Sequence, residues 1–487
     1  MPVFRTIVSA ALAVALAACG GGGGGSRNAP TPGGTGTGGT DGAGGTGGTG
    51  GTGGTAGDCS VSGRQDWVRA QINEWYLFPE LVDTSVAKGD HATVQSYIDA
   101  LVAPARAQEK DRFFTYVTSI REENDLIRNG ANAGFGFRLA YDERERRLFV
   151  LEVFETGPAY ARGVRRGDEI LTIGDRQVED LFAAGGSRAV SDALGPANPG
   201  VTRSIRFLNT TGTAINSNIT KEEFALDPMS DVYGQEVFEI DGEKIGYINL
   251  RTFIIQSAEA ELRAAFQRFQ NEGVSKVILD LRYNGGGLIS VAEVLGDLLG
   301  ADKVGQVFSR TVFRPSKAEN NETRSFQRQP QAITASRIAV IGRGGTASAS
   351  ELVTNSMLAY LGPDIALVGT NTYGKPVGQI GLDRSACDDR LRVVAFKTAN
   401  ARGEGEYYRG LAGVMQATCA ASDDIETPLG DPSEASIMAA RAYLGGMQCQ
   451  PIAGAGLATR TSQQAARRDL LVPRQPSAAQ FQNPGLF

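Results

Sequence analysis

The spacing of apolar residues changes period along the chain, and each change marks a different kind of element. From residue 58 to about 121, Trp67, Val68, Ile72, Trp75 and Tyr76 recur at intervals of one to four, which predicts a helix. Pro79 interrupts it, and a second amphipathic run follows through Val94, Tyr97, Ile98 and Leu101. Between 122 and 218 the period shortens to strand-like runs at 137–141 and 148–153, followed by glycines at 163, 167 and 174 that punctuate a short helix, a tight turn and another strand. The stretch 219–450 reads as a second core. It has a strand at 244–250, a helix at 258–269 with Leu262, Ala265, Phe266 and Phe269 on one face, and an unbroken apolar strand at 277–281. A helix at 291–299, a strand at 337–341, an apolar helix running to about Leu361 and a strand at 365–369 continue it. Residues 391–399 alternate as a strand, 403–405 turn, 407–409 return, and 434–444 form a closing helix. Residues 451–487 are polar and dotted with proline, and read as a loose tail. The fold class expected is α/β, in several domains.

Composition narrows the functions open to such a chain. Its 487 residues allow two or three domains, and 48 Lys+Arg against 54 Asp+Glu with no basic block speak against a nucleic-acid partner. One histidine, His91, and no Cys-x-x-Cys pair leave no metal site to expect, and no cofactor motif stands out.

The first 57 residues are of another character. Arg5 precedes an apolar run at 7–18, too short to span a bilayer and shaped like a secretory signal occupying 1–18. Leu16-Ala17-Ala18-Cys19 resembles a bacterial lipobox, which implies cleavage before Cys19 and lipid on that cysteine. Residues 20–57 hold 21 glycines in 38 positions and cannot build a core. Such a coil spans roughly 35 Å on average and could stretch past ~100 Å. The expectation is an exported protein on the periplasmic side of a bacterial envelope, tethered to the membrane through Cys19. The absence of Asp after Cys19 points to the outer membrane. Four cysteines then remain in an oxidising compartment, with three possible pairings. The favoured one joins Cys387 to Cys419, which bracket a hairpin-like region, and Cys59 to Cys449, which would tie the ends of the folded part together.

Candidate chemistry concentrates between Thr346 and Gln379. Ser348 stands at the start of a helix after the turn at 342–345, where its hydroxyl would be exposed beside the free N–H groups of the first helical turn. No histidine is near in sequence, but a lysine held in a dry pocket can lose its proton and act as base, and Lys375 and Gln379 lie four residues apart. The glycines 285–287 follow a buried strand and could present amides to an anion. No Gly-Lys-Ser/Thr follows, so a phosphate loop is not indicated. Ser348-x-x-Glu351 is also a capping box, which would account for those two residues alone.

Two resemblances join these pieces. Gly134-Phe135-Gly136-Phe137, Gly157-Pro158-Ala159 and Gly167-Asp168-Glu169-Ile170-Leu171 look like a PDZ domain over 122–218. That likeness implies that the amides of the 134–137 loop meet a chain's terminal carboxylate and the adjoining strand edge accepts the chain. With Asp280-Leu281-Arg282-Tyr283-Asn284-Gly285-Gly286-Gly287, Thr346-Ala347-Ser348-Ala349-Ser350-Glu351 and Tyr373-Gly374-Lys375, the order is similar to that of the carboxyl-terminal processing peptidases, over roughly 65–430. The resemblance implies Ser348 as nucleophile, Lys375 as general base and Gln379 as its holder. It also implies an oxyanion hole from the amides of Gly286 and Ala349, on a crotonase/ClpP-like αββ spiral core with an inserted PDZ domain and a helical N-terminal module. The substrates implied are proteins with exposed apolar C-termini. Two departures stand out: Lys375 follows Ser348 by two residues more than is usual, and Pro376 stands where glycine is common. The longer spacing raises Ser350 as an alternative nucleophile. The competing function is an inert lipoprotein scaffold that binds protein tails.

Overall fold

A computed structural model describes residues 58–240, 242–453 and 468–487; the signal, Cys19 and linker readings lie outside the described residues. The central sheet has six strands in the order Gln235–Ile240, Glu243–Asn249, Lys276–Asp280, Arg337–Gly342, Ile365–Gly369 and Ala417–Ala420. The first pair is antiparallel and the rest are parallel. Parallel strands are covered on both faces, which is why the inner strands read as unbroken apolar runs. On one face, helices Ala258–Glu272, Ile289–Leu299 and Ala349–Leu361 bury Phe266, Phe269, Leu295 and Val353 against Leu279, Val340 and Leu367. On the other, Ala435–Leu444 lays Ile437, Ala440 and Leu444 over Tyr247, Ile341 and Val368.

A second, antiparallel sheet runs Tyr116–Ser119, Asp389–Ala399, Val307–Phe313, Glu322–Ser325, with Val377–Arg384 also paired to Asp389–Ala399. The return strand expected at 407–409 is therefore absent, and the partner of Asp389–Ala399 comes before it in sequence. Residues 407–410 instead brace the loop ahead of Lys375: Asn371 donates to the Arg409 carbonyl at 2.6 Å, and Gly374 packs too close to Tyr408 for any side chain. Helices Val61–Trp75 and Val94–Leu101 press Val68, Ile72, Tyr97 and Ile98 onto Val377, Leu391, Val393 and Val394, so the N-terminal helices back the strand that carries Gln379.

The third sheet has the order Asp469–Leu470, Phe137–Asp142, Arg147–Val153, Glu169–Ile173, Thr202–Leu208, Ala214–Thr220, with Arg176–Gln177 beside Glu169–Ile173. Helix Val178–Leu194, broken by a kink at Gly185 and Gly186, closes it through Leu181, Val190 and Leu194.

Two further expectations need correction. The disulfides join Cys59 to Cys387 and Cys419 to Cys449, with Cα separations of 5.5 and 4.9 Å. Cys387 sits at the tip of the Val377–Arg384/Asp389–Ala399 hairpin, where the start of helix Val61–Trp75 docks through Arg64 on Asp389 and Arg384 on the Gly63 carbonyl. Cys419 lies on the edge strand of the parallel sheet, and the Ala420 amide donates to the Gln450 carbonyl at 2.7 Å, bringing Cys449 alongside. Nor is the last segment loose: 468–487 contains a strand on Phe137–Asp142 and helix Ala478–Gln482, with Leu471, Ala478, Ala479, Leu486 and Phe487 buried.

Candidate active site

In open parallel sheets the reactive crevice lies beyond the carboxyl ends of the strands, and two such ends meet here. Strand Lys276–Asp280 runs out into Leu281–Gly287, and Arg337–Gly342 into the turn before Ser348. The turns are bonded together. Thr346 Oγ1 donates to the Leu281 carbonyl at 2.8 Å, the Ala347 amide to the Asn284 carbonyl at 3.0 Å, and Asn284 Nδ2 to the Leu250 carbonyl at 2.8 Å. Below them Arg282 is wholly buried, with Nε on Asp280 at 2.8 Å and both terminal nitrogens on Glu434 at 2.8 Å, a two-pronged pairing that fixes the direction of the turn.

Ser348 caps helix Ala349–Leu361 with φ 55° and ψ −114°. A non-glycine residue held there costs about 1–3 kcal/mol and persists only where its surroundings over-determine it. The Ser348 side chain lines a cleft together with Gly287, Leu288, Ala349, Lys375, Gln379, Arg392 and Gln482. Gly286, at φ 105°, has no room for a Cβ, which would stand 2.6 Å from the Ser348 Cβ. Its amide donates to Asn284 Oδ1 at 2.9 Å, so this donor is engaged within its own turn. Ala349 is the first residue of the helix, where N–H groups lack helical partners. Ser350 lies elsewhere: it is fully buried and does not line the cleft, and its hydroxyl donates to the Asn284 carbonyl at 3.1 Å, which ties the turn.

Lys375 enters the same cleft. Its Nζ donates to Gln379 Oε1 at 2.6 Å and stands 4.7 Å from the centre of the Phe114 ring. Desolvation lowers its pKa to about 8, with Asp111 opposing that shift. The register of Val377–Arg384 slips between Gly378 and Gln379, a bulge of the kind that re-aims a side chain, and Gln379 Nε2 donates in turn to the Phe114 carbonyl.

Glu351 joins the two halves. It is fully buried, and its Oε2 accepts the Ser348 amide at 3.0 Å and the Lys375 amide at 2.7 Å. Its Oε1 accepts the Gly374 amide at 2.7 Å and the Thr372 hydroxyl at 2.6 Å. Burial raises its pKa against these four donors. The capping-box spacing signals the bond to Ser348; nothing local signals the three to the lysine loop. Also unheralded are Arg112, which donates to the Gly374 and Tyr408 carbonyls at 2.8 and 3.1 Å, and Arg392, which lines the cleft. His91 is remote, packed against Tyr97.

Residues 244–405 match the sequence profile of Peptidase family S41. The chain carries an S41 peptidase domain. Similar curated proteins include the carboxyl-terminal-processing protease of a Picosynechococcus strain, 28% identical over 247 residues covering 51% of this chain and 55% of that one. Another is the chloroplastic C-terminal processing peptidase of Tetradesmus obliquus, 29% identical over 272 residues and 53% and 54% of the two chains. The chain thus spans about half the length of these relatives. A crystal structure from Bacteroides fragilis NCTC 9343 assigned to the S41 proteases superposes with a TM-score of 0.60 at 22% identity, over 78% of this chain and 97% of that one, which shows a shared mixed α/β fold. Gly286, Ser348, Ala349, Glu351, Lys375 and Gln379 all fall inside the S41 domain, whereas the 134–137 loop and the segment 468–487 fall outside it.

Proposed function

We propose that this chain is a serine endopeptidase with a Ser348–Lys375 dyad that cleaves proteins near apolar C-termini. The observation that carries the reading is one cleft lined by a serine on a strained helix-entry turn and by a lysine whose proton is loosened by burial. Ser348 Oγ attacks the scissile carbonyl as Lys375 Nζ takes its proton, and the tetrahedral oxyanion turns toward the Ala349 amide. Gly286 adds a second donor once its amide leaves Asn284. Lys375 then returns the proton to the departing amine, and a water activated by the same lysine hydrolyses the acyl-enzyme. Gln379 keeps Nζ in place.

A fluorophosphonate probe tests this directly. Its adduct is expected on Ser348, and the labelling rate should climb about tenfold per pH unit up to about pH 8 and level off above, because only neutral Lys375 accepts the proton. Modification of Ser350, or a rate flat in pH, would overturn the dyad.

The finer architecture, a ClpP/crotonase-like core with an inserted PDZ domain and a helical N-terminal module, is part of the same reading. The edge of strand Phe137–Asp142 beside helix Val178–Leu194 supports a groove for chain ends. Export and lipid attachment at Cys19 rest on the sequence of residues 16–19. Labelled palmitate should be incorporated by cells making the full chain and lost with Cys19→Ala; retention of label in that variant would refute the anchor.

A further inference from the structure

The groove at the edge of strand Phe137–Asp142 already holds a peptide, and the peptide belongs to this chain. The main-chain oxygen of Phe487 accepts the amides of Phe135 at 3.0 Å and Gly136 at 2.9 Å, and the Phe487 amide donates to the Phe137 carbonyl at 3.0 Å. Two residues earlier the Gly485 carbonyl accepts the Leu139 amide at 2.8 Å, and Arg138 bridges antiparallel to Leu486. This is strand addition, with main-chain bonds setting register and alternate side chains filling pockets. Phe487 is buried with Phe135, Phe137, Ala159 and Leu181, while Leu486 turns to Leu126, Phe154 and Ile254.

The same stretch reaches the catalytic cleft. Phe481 stacks on Tyr116 at 3.9 Å, Gln482 Nε2 donates to the Tyr116 hydroxyl at 3.0 Å, and Gln482 is part of the cleft wall. The Gln482 carbonyl lies so close to Gly285 that a Cβ there would be 2.8 Å away. Arg138 donates to the Pro484 carbonyl at 2.9 Å midway. Seven residues, 481–487, therefore run from beside Ser348 to the 134–137 loop.

We propose that the segment 483–487 is a ligand in cis of this groove, so that an incoming protein tail must displace it to bind. This rests on reading the groove as a site for chain ends, and it specifies the competitor by chemistry: a Gly-Leu-Phe sequence presenting apolar side chains to opposite faces. A tethered ligand acts at an effective concentration of about 1 mM. Against a free peptide of about 10 μM intrinsic affinity, it would weaken apparent binding roughly 100-fold.

The probe is a dye-labelled Asn-Pro-Gly-Leu-Phe peptide with a free carboxylate, titrated by fluorescence anisotropy into the full chain, a variant lacking 483–487, and Phe487→Asp. Both variants are expected to bind roughly 100-fold more tightly than the parent. Equal affinity for all three would overturn occupancy in cis while leaving the groove reading intact. Absence of binding to any, with Ser348 still labelled by fluorophosphonate, would overturn the groove reading and this inference with it. Hydrogen exchange on the unaltered chain is a check that needs no variant to fold. The amides of Phe135, Gly136 and Leu139 should be protected, and rapid exchange there would refute the occupied groove.

Discussion

Lys375→Met is expected to lower kcat by about 10²- to 10⁴-fold, the range for loss of a positioned general base, with no loss of thermal stability. Methionine fills much the same volume without an ammonium group to desolvate. Burial pushes the Lys375 pKa down to about 8, so its charge is held in the cleft at a cost that methionine does not incur. Removing a catalytic group from a strained site commonly leaves stability unchanged or higher. Lys375→Arg separates the base from mere charge. A guanidinium stays protonated throughout the accessible pH range, so arginine should be as inactive as methionine and should lose the rise in rate below pH 8. If arginine restored activity, the cation would matter as an electrostatic partner and the proton-transfer role would fall. The measurements are kcat and KM on a peptide with an apolar C-terminus, with a thermal melt of each variant.

The core was legible because its strands are covered on both faces. The strands Lys276–Asp280, Arg337–Gly342 and Ile365–Gly369 read as apolar runs, and the helices between them carried their period plainly. Ser348, Lys375 and Gln379 could be singled out because their spacing is local, and the structure brings all three to one cleft. What escaped depends on contacts distant in sequence. The strand Val377–Arg384 contains Gly378 and Gly381 just after Pro376 and looks like a loop. Its stability comes from Asp389–Ala399 and from helices some three hundred residues earlier. Cysteine pairing follows the same rule, since Cys59 meets Cys387 only once helix Val61–Trp75 has docked. The Phe114 carbonyl that orients Gln379 carries no side-chain signature at all. In the segment 469–487 the apolar residues fall in short groups broken by Pro473, Pro476 and Pro484, and part of its hold comes from backbone pairing to the strand Phe137–Asp142, to which hydropathy is blind.

Glu351→Gln is the second large effect, and it separates positioning from chemistry. The two oxygens of Glu351 receive four donors, among them the amides of Ser348 and Lys375 on a single atom. Glutamine offers one oxygen and an NH₂ group. Turned one way, its NH₂ faces the amides of Ser348 and Lys375; turned the other, it faces the Gly374 amide and the Thr372 hydroxyl, which can rotate to accept. One or two buried donors are then left unmet at about 1–3 kcal/mol each, so the variant should lose about 1–6 kcal/mol of stability in all. Catalysis should suffer separately, because the turn bearing Ser348 and the loop bearing Lys375 lose the group that holds them in register. A misplacement of about 1 Å between reacting groups is enough to cost about 10² in rate. The loss should appear in kcat and in fluorophosphonate labelling, with KM nearly unchanged, since Glu351 is fully buried and does not line the cleft. Glu351→Asp sharpens the reading. It keeps the charge but shortens the reach, so it cannot meet Ser348 and Lys375 together, and its labelling rate should stay low even where charge alone would suffice. A Glu351→Gln chain that folds and turns over at the parental kcat would show that Ser348 and Lys375 are held by their own elements and need no common clamp.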